Sequence, residues 1–353
     1  MSDKRGIFWF DSAGALEPPT LGGKCRNLVA LTRVGLPVPP GFAIPAEMFI
    51  AFLDATGIRE HVKNTLNIGG APVSEEAATQ LVALISNAKV PETSARAILD
   101  AYGKLGERIG KVAPRVAVRS SATTEDLESA SAAGQQLTLL DIAGGSNLIC
   151  AVRKCWASIF SHHAILYRQQ HGIDAPSNLP AMAVGVQILV PARVAGVMFT
   201  ANPVTGDSTG IVVEATHGLG ETLVSGEVTP DRYLIDKRTG RIIEQHISEK
   251  TVELVCTATG SVHRAVPAER RSLPCLSHRD CEQLFELSRA VEAALGPHQD
   301  IEWAIDEADR CFLLQARPIT VRGRMQRLPE QSSQIPPSRS TLLGEMYRRW
   351  SKG

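Results

Sequence analysis

The sequence lacks long apolar runs and any regular cysteine pattern. Its 353 residues contain no apolar stretch of about eighteen or more, the length that a membrane-spanning helix needs. The N-terminus "MSDKRGIFWF" has no apolar segment of the kind found in a signal peptide. The seven cysteines are odd in number and include no C-x-x-C pair, which argues against a disulfide framework and a zinc site. We therefore predict a cytoplasmic protein with reduced thiols and no membrane contact.

The sequence also lacks an excess of charge of either sign. Lysine plus arginine equals aspartate plus glutamate at 37 each, so no overall basic field predicts nucleic-acid binding and no acidic excess predicts disorder. Apolar residues make up 44% and charged residues 21%, which is typical of a globular protein with a sizeable core. Any anionic ligand must therefore be held by a local cluster of residues.

The pattern of apolar residues changes along the chain. Residues 45–110 place apolar residues three and four apart, which predicts helices, and β-branched runs from about residue 112 onward predict strands. A later segment, residues 148–172, again predicts a helix, and no internal repeat is present. The prediction is an α/β (α+β) protein with a helix-rich part at 1–111, a strand-rich part at 112–321, and a linker with a basic tail at 322–353.

The stretch "DIEWAIDEADRCFLLQARPIT", residues 300–320, predicts a β-hairpin with an acidic turn. At a period of two, Asp300 and Glu302 share one face of the first strand, and Gln315 and Arg317 share one face of the second. A turn centred in "DEADR" would pair Glu302 with Gln315 and Asp300 with Arg317. The hairpin therefore predicts a carboxylate, an amide and a guanidinium gathered on one side.

Two interpretations of this hairpin stay open on the pattern alone. Glu302 and Gln315 offer hard oxygen donors suited to Mg²⁺, and Arg317 could brace a phosphoryl group in transfer. Alternatively, Asp300 and Arg317 form a structural ion pair on a half-exposed sheet.

Two further segments have residue types that suit phosphate binding. Gly22, Gly23 and Lys24 precede a predicted helix, where backbone amides, the helix dipole and a lysine can meet an anion. Arg119 ends an apolar strand and opens a loop rich in Ser, Thr, Ala and Gly, which could act as a mobile lid over a polyphosphate. A capping turn with a solvated lysine and a solvated surface loop are the alternatives.

These motifs occur together with others in an order that identifies a family. The order is "GGK...GLPVPPGF", "VAVRSSATTEDLESASAAGQQ", "GVMFTANPVTGD", "HGLGETLVSGEVTPDRY" and "DIEWAID...LLQARPIT", from about residue 5 to 321. In this it resembles the N-terminal, nucleotide-binding part of the pyruvate phosphate dikinase and phosphoenolpyruvate synthase family, which includes rifampin phosphotransferase. The resemblance implies an ATP-grasp fold, with a helical N-terminal subdomain and mixed or antiparallel sheets around an ATP cleft.

The resemblance also implies roles for individual residues toward ATP and Mg²⁺, or Mn²⁺ in its place. Asp300 would support Arg317 or the metal. The implied assignments are Lys24 and Arg119 to the ATP phosphates, Gly134, Gln135, Thr138 and Leu139 within a backbone clamp, Gln187 near the adenine, Glu302 and Gln315 to the metal, and Arg317 to the transferred group.

The sequence departs from the family pattern at three positions. Leu137 stands where acidic or polar residues are more frequent, Ala133 where an aromatic is frequent, and His217 where tyrosine is common before "GLGE". None of these is a proposed phosphate or metal ligand. His217 could be a phosphate carrier, but a histidine beside a glycine turn is more often packed or hydrogen-bonded.

The implied activity is that of a dikinase, in which the β,γ-diphosphoryl group of ATP passes to a histidine on a swivelling domain and AMP is released. None of the nine histidines lies in the Gly-rich, threonine-containing context of that domain. The leading hypothesis is therefore the ATP-binding subunit of a split dikinase. A separate partner subunit would then carry the phosphohistidine and the site for a small-molecule acceptor.

Phenol is the favoured acceptor, by resemblance to the split arrangement of phenylphosphate synthase. The alternatives are pyruvate or an antibiotic hydroxyl as acceptor, an ATP-sensing module that transfers nothing, or one domain of a longer enzyme. The Met start and the basic C-terminus favour a whole subunit. The tail, with Leu342, Leu343, Met346, Tyr347 and Trp350, is either a partner-docking segment or a solvated terminus.

Overall fold

The computed structural model describes residues 6–12, 18–66, 72–123, 137–170 and 179–319. Within them the chain has a mixed α/β fold with antiparallel sheets, as predicted. It divides into two compact units, the first within Met1–Arg33 and Pro40–Leu189 and the second within Val34–Pro39 and Val190–Gly353. The change from helices to strands near residue 112 falls inside the first unit, so the predicted three-part division remains a prediction. Among the described helices none combines the length and the apolarity that crossing a bilayer requires.

Helices supply most of the apolar surface of the first unit. Ser74 caps one of them by accepting a hydrogen bond from Ala77 N at 3.2 Å. The segment predicted as a single helix from residue 148 forms two helices in the described residues, because the chain turns between Ser158 and His162. The helices are α1 (Pro18–Arg33), α2 (Ala46–Ala55), α3 (Ile58–Leu66), α4 (Glu75–Asn87), α5 (Glu92–Arg108), α6 (Gly145–Ser158) and α7 (His162–Gln170).

A five-stranded antiparallel sheet lies beside these helices in the order β1-β2-β5-β3-β4. Its strands are β1 (Phe8–Trp9), β2 (Gly41–Ile44), β3 (Val116–Ala122), β4 (Thr138–Ile142) and β5 (Met182–Ile188).

The two faces of this sheet differ in character. Phe42, Val118 and Val184 lie on one face, in a core that includes the aromatic cluster of α2 and α6, where the rings of Phe52 and Trp156 are 5.0 Å apart. Burial of such aromatic side chains dominates the stability of a core. The opposite face carries small and polar residues, among them Gly185, Arg119 and Gln187, and its strands β3 and β5 contact α1.

The second unit is built on a six-stranded antiparallel sheet with the order β13-β12-β6-β7-β8-β9. A separate two-stranded hairpin is formed by β10 and β11, and a short 3₁₀ helix follows it at Ala268–Arg270. The elements are β6 (Ala192–Phe199), β7 (Gly210–His217), α8 (Glu221–Val224), β8 (Asp231–Asp236), β9 (Ile242–His246), β10 (Val252–Cys256), β11 (Ser261–Ala265), α9 (His278–Leu295), β12 (Gln299–Asp306) and β13 (Cys311–Pro318).

Helix α9 packs on β12 and β13 and supports the hairpin that they form. It begins with a capping box, in which Ser277 Oγ accepts from Asp280 N and the Asp280 carboxylate accepts from Ser277 N. The edge strand β13 is covered near its middle by the segment Val34–Pro39, because Leu313 N donates to Pro37 O at 3.0 Å.

A fully buried ion pair joins the connection between β9 and β10 to the start of β8. Lys250 Nζ lies 2.6 Å from Asp231 Oδ1, and both side chains have no exposed surface. Asp231 also accepts hydrogen bonds from Ser248 N at 3.0 Å and Cys275 N at 2.8 Å. The carboxylate is thus satisfied from several directions, as a buried charge must be.

Candidate functional site

The hairpin of β12 and β13 has the predicted pairing. Glu302 pairs with Gln315 and Asp300 with Arg317, so all four residues belong to one face of the sheet. On the other side of β12, Glu302 pairs with Val197 of β6 and Asp300 with Phe199. The predicted gathering of a carboxylate, an amide and a guanidinium is therefore confirmed as a structural feature.

The four side chains form two contacting pairs. Gln315 Nε2 donates to Glu302 Oε1 at 3.4 Å, and Arg317 Nε donates to Asp300 Oδ2 at 2.9 Å. Arg317 Nη2 lies 2.9 Å from the same oxygen. The Asp300–Arg317 ion pair that the pattern left open is present, and it orients the guanidinium next to the Glu302–Gln315 pair.

A β-bulge lies in the hairpin directly after the polar pairs. The register shifts between Glu302 and Trp303, so that Trp303 pairs with Leu313 and Leu314 has no partner across the hairpin. Trp303 and Leu313 are both fully buried. The extra residue turns Leu313 toward the buried face while Gln315 and Arg317 stay on the opposite one.

A carboxylate from α9, which no sequence pattern singled out, holds the start of β12. Glu292 Oε1 accepts hydrogen bonds from Thr200 Oγ1 at 2.6 Å, Lys237 Nζ at 2.7 Å and His298 N at 3.2 Å. Thr200 Oγ1 in turn accepts from Gln299 N at 2.8 Å, one residue before Asp300. We call this set the Glu292 network.

The charge on Glu292 is stabilised by these contacts. Burial of the carboxyl group opposes ionisation, but the hydrogen bonds from Lys237 and Thr200 and the charge of Lys237 outweigh it and lower the pKa of Glu292 below its usual value. The network therefore holds an ionised carboxylate among Thr200 after β6, Lys237 after β8 and His298 before β12.

A second buried carboxylate shares the polar face of the six-stranded sheet. Glu214 of β7 pairs with Val197, which places it on the same face as Glu302, and it accepts a hydrogen bond from Arg232 Nε at 3.1 Å. The glutamate is 1% exposed. One signal for it exists in the sequence, because Glu214 interrupts the otherwise apolar run "GIVVEA".

The first unit holds the other set of predicted residues. Arg119 of β3 pairs with Thr138 of β4 and Gly185 of β5, and Gln187 of β5 pairs with Ala117. This pairing places Arg119, Thr138 and Gln187 on the face opposite the aromatic core. Leu139 follows Thr138 and packs its side chain against that core, while Gly134, Gln135 and the departure at Ala133 lie outside the described residues.

The start of α1 is shaped by contact with β3. Gly22 has a φ of 68°, and a Cβ added to it would lie 2.4 Å from the carbonyl oxygen of Ser121. Ser121 Oγ accepts from Cys25 N at 3.2 Å and donates to Leu21 O at 3.0 Å. The serine thus caps the part of α1 that follows Gly22 and fixes Lys24, which is 6% exposed. The capping turn of the alternative interpretation is therefore present, but its lysine is wrong in one respect, because Lys24 is buried and not solvated.

The side chains of this face suit a polyphosphate nucleotide. Lys24 and Arg119 place two cations below 10% exposure, at 6% and 7%, where an anion is attracted more strongly than in bulk water. Gln187 is 1% exposed, and among the described residues its Nε2 has no hydrogen-bond partner. A buried amide donor in this state fits a ligand that brings its own acceptor, such as an adenine ring nitrogen.

The hairpin suits a metal that arrives with its ligand. Within the described residues no group of three or more His, Cys, Asp or Glu side chains could hold a metal ion alone. Glu302 and Gln315 provide two neighbouring oxygen-bearing side chains, and Mg²⁺ commonly takes one or two protein ligands and completes its shell with water and phosphate. The donor set therefore fits a magnesium–nucleotide complex.

His217 is packed and hydrogen-bonded. It is 6% exposed, and its Nδ1 lies 3.3 Å from Arg270 Nη2. Burial, followed by the charges of Arg270 and Lys250, lowers its pKa. This is the packed alternative rather than the exposed geometry of a phosphate carrier.

The mixed α/β fold with antiparallel sheets is that of an ATP-grasp-like domain. The chain belongs to the family described as pyruvate phosphate dikinase, AMP/ATP-binding domain, which matches residues 18–335. A probable phosphoenolpyruvate synthase of Methanothermobacter thermautotrophicus is 39% identical over 320 residues, covering 90% of this chain and 46% of the relative. The phosphoenolpyruvate synthase of Aeropyrum pernix is 38% identical over 373 residues, covering 96% and 45%. The chain thus spans about half the length of these curated relatives.

Proposed function

We propose that this chain catalyses the ATP half-reaction of a phosphoenolpyruvate synthase-type dikinase. A histidine nitrogen supplied by a separate partner subunit attacks the β-phosphorus of ATP. The bond from that phosphorus to the α,β-bridging oxygen breaks, and AMP leaves with the oxygen. The observation that carries the proposal is the hairpin register, which sets Glu302, Gln315 and Arg317 on one face in a chain of this family.

Each residue set has a distinct task in this proposal. Lys24 and Arg119 would neutralise the ATP phosphates, Gln187 would hydrogen-bond the adenine, and the backbone around Thr138 and Leu139 would clamp the nucleotide. Glu302 and Gln315 would hold Mg²⁺, or Mn²⁺ in its place. The metal supplies positive charge to the phosphate oxygens when bound.

Arg317 is suited to bind the phosphoryl group that is transferred. Its Nε and Nη2 are used by Asp300 Oδ2, while among the described residues its Nη1 makes neither a hydrogen bond nor an ion pair. A guanidinium fixed by one carboxylate can direct its remaining donors at a phosphoryl group without losing further side-chain entropy.

The relatives favour pyruvate as the final acceptor, since the M. thermautotrophicus and A. pernix proteins are named as a probable phosphoenolpyruvate synthase and a phosphoenolpyruvate synthase. Phenol, as in a phenylphosphate synthase-like subunit, and an antibiotic hydroxyl remain predictions from the sequence. A module that only senses ATP would not need both a pair of metal-binding side chains, Glu302 and Gln315, and a guanidinium held in place by Asp300. The presence of both counts against that alternative.

The test uses ATP labelled separately at the β and γ phosphates. The pure chain would be incubated with Mg²⁺ alone, with lysate of its source, and with the part of the A. pernix enzyme that this chain does not match. AMP formation with β-label on the added polypeptide is the expected result. Adding pyruvate, phenol or rifampin in turn then identifies the acceptor by which compound removes the label.

Other results would change the proposal in defined ways. ATP that binds but stays intact in every mixture would favour the sensing module. Label retained on this chain itself would contradict the separate histidine.

A further inference from the structure

The second unit has a cavity at the end of the sheet where the turn of the hairpin lies. Its volume is about 370 Å³, and its lining includes Arg193, His217, Glu253, Arg264 and Arg270. Three arginines face two carboxylates there, since Glu307 also belongs to the lining. This cavity is distinct from the polar face of the hairpin.

The strand register shows the separation. His217 pairs with Val194 and Val194 with Ile305, whereas Asp300 lies at the other end of β12. Five residues of extended strand correspond to roughly 17 Å. None of the residues assigned to ATP or the metal lines the cavity.

Two of the arginines in the lining form close ion pairs with carboxylates. Arg193 Nη2 contacts Asp280 at 2.6 Å and Asp309 at 2.8 Å. Arg264 Nη2 lies 2.9 Å from Glu253, which is itself 2% exposed. The charges of Arg193 and Arg264 are therefore largely neutralised by neighbouring carboxylates.

Arg270 and His217 are different, because their hydrogen-bonding groups are only partly used. Arg270 Nη2 meets His217 Nδ1 at 3.3 Å, and Arg270 Nη1 is 4.0 Å from Glu253, beyond hydrogen-bond distance. Since Nδ1 accepts from the guanidinium, the neutral imidazole carries its proton on Nε2. That nitrogen is buried, and it has no partner among the described residues.

A ligand that completes this set must bring hydrogen-bond acceptors, because the groups left over on Arg270 and His217 are N–H donors. Unfilled guanidinium donors and an imidazole N–H are the groups that bind the oxygens of a phosphate. The side chain of Arg270 is 42% exposed, so a ligand in the cavity can approach its guanidinium. We propose that this cavity binds a phosphate group, free or at the end of a small metabolite, through Arg270 and His217.

The test is a calorimetric titration of the full chain with inorganic phosphate and, in parallel, with glycerol 3-phosphate, at constant ionic strength in chloride. Saturable binding is expected for at least one of them. Arg270→Gln should weaken it about tenfold or more, because a charge-assisted hydrogen bond is lost. Arg289→Gln is the matched control, since Arg289 is a surface arginine of α9 outside the cavity.

A second measurement does not depend on any variant. In chain labelled with ¹⁵N-histidine, the Nε2 resonance of His217 should shift as phosphate is added. Tighter binding of glycerol 3-phosphate would indicate a metabolite, and equal or tighter binding of inorganic phosphate would indicate the free ion.

Three outcomes would contradict a phosphate site at Arg270 and His217. The first is the absence of saturable binding, and the second is an affinity of Arg270→Gln equal to that of the wild type. The third is binding that is lost in Lys24→Ala and Arg317→Ala but kept in Arg270→Gln. The last would assign the phosphate to the nucleotide residues. ATP turnover is read separately, so failure here leaves the proposed function standing and the reverse also holds.

Discussion

The Asp300–Arg317 pair illustrates how one contact between two residues can serve orientation more than stability. Its side chains are 9% and 25% exposed, so the attraction is partly screened and partly offset by desolvation. The geometry is well defined, because two guanidinium nitrogens share one carboxylate oxygen. We therefore expect the pair to matter most in the step that moves the phosphoryl group.

Arg317→Ala should abolish diphosphoryl transfer while ATP binding stays measurable, because the variant loses a group used mainly in the transition state. Rapid-quench assay of AMP and calorimetry of ATP check the two parts. Arg310→Ala is the control from the same hairpin, since Arg310 also pairs with an aspartate, Asp306, but at the turn. Transfer at the wild-type rate in Arg317→Ala would remove this residue from the reaction.

Glu302→Ala should weaken ATP binding only when Mg²⁺ is present, because the carboxylate is assigned to the metal rather than to the nucleotide. The affinity for ATP in the presence of Mg²⁺ should fall about tenfold or more, because one charged metal ligand is removed. Titrations with and without Mg²⁺ measure it. Glu286→Ala, at an exposed position of α9, is the control, and an unchanged Mg·ATP affinity in Glu302→Ala would show the metal assignment to be wrong.

At the scale of the element, the start of α1 is set by its neighbour strand. Leu21, Gly22 and Cys25 all meet Ser121 of β3, a residue about a hundred positions away in sequence. Close approach of the helix to β3 requires a residue without a side chain at Gly22. The position of Lys24 therefore depends on a backbone contact and not on its own helix alone.

Two glycines of positive φ allow this dependence to be measured. Gly35→Ala, with φ 81° and no atom within 4 Å of the added Cβ, should cost about 1 kcal/mol for the left-handed conformation. Gly22→Ala should cost at least about 2 kcal/mol, because the Cβ would also overlap the backbone of Ser121. Thermal melts and ATP titrations should show loss of both stability and affinity only for Gly22→Ala, and equal effects would contradict the contact.

The Glu292 network predicts a dependence of stability on acid. A carboxyl group whose pKa is lower in the folded state stabilises the fold above its unfolded pKa, about 4.3, and loses that contribution as pH falls through the folded value. Glu292→Gln should therefore be less stable than the wild type at neutral pH, with a difference that narrows below about pH 4. Denaturant melts across pH would show it, and a constant difference would contradict the assignment.

The sequence predicted the elements whose interactions are local. The period of two and the short turn were enough to pair Glu302 with Gln315, because both strands belong to one hairpin. The bulge at Trp303, the cap by Ser121 and the Glu292 network depend on contacts between distant segments, for which a single sequence gives no register. The helix break after Ser158 was missed because apolar spacing continues through it.

At the scale of the whole molecule, the chain forms two compact units, and the aromatic core of α2 and α6 belongs to the first. The buried Lys250–Asp231 pair belongs to the second unit alone, and removing one partner leaves an uncompensated buried charge. Such a change typically costs about 3–5 kcal/mol. The effect should therefore be confined to one part of the chain.

Lys250→Met should increase amide exchange in residues 190–319 and leave residues 40–189 nearly unchanged, as followed by hydrogen-exchange mass spectrometry. Arg59→Met, which removes an ion pair with side chains 37% and 49% exposed, should change exchange little in either unit. Equal deprotection of both units in Lys250→Met would mean that they unfold together.

The path of the chain also limits how the protein can be dissected. The chain leaves the first unit after Arg33, returns at Pro40 and leaves again after Leu189, so no single cleavage releases either unit. A fragment starting at Val190 would lack Pro37, the acceptor for Leu313 N on the edge strand β13. Such a fragment would expose an unpaired edge on the strand that carries Gln315 and Arg317, and would tend to self-associate along it.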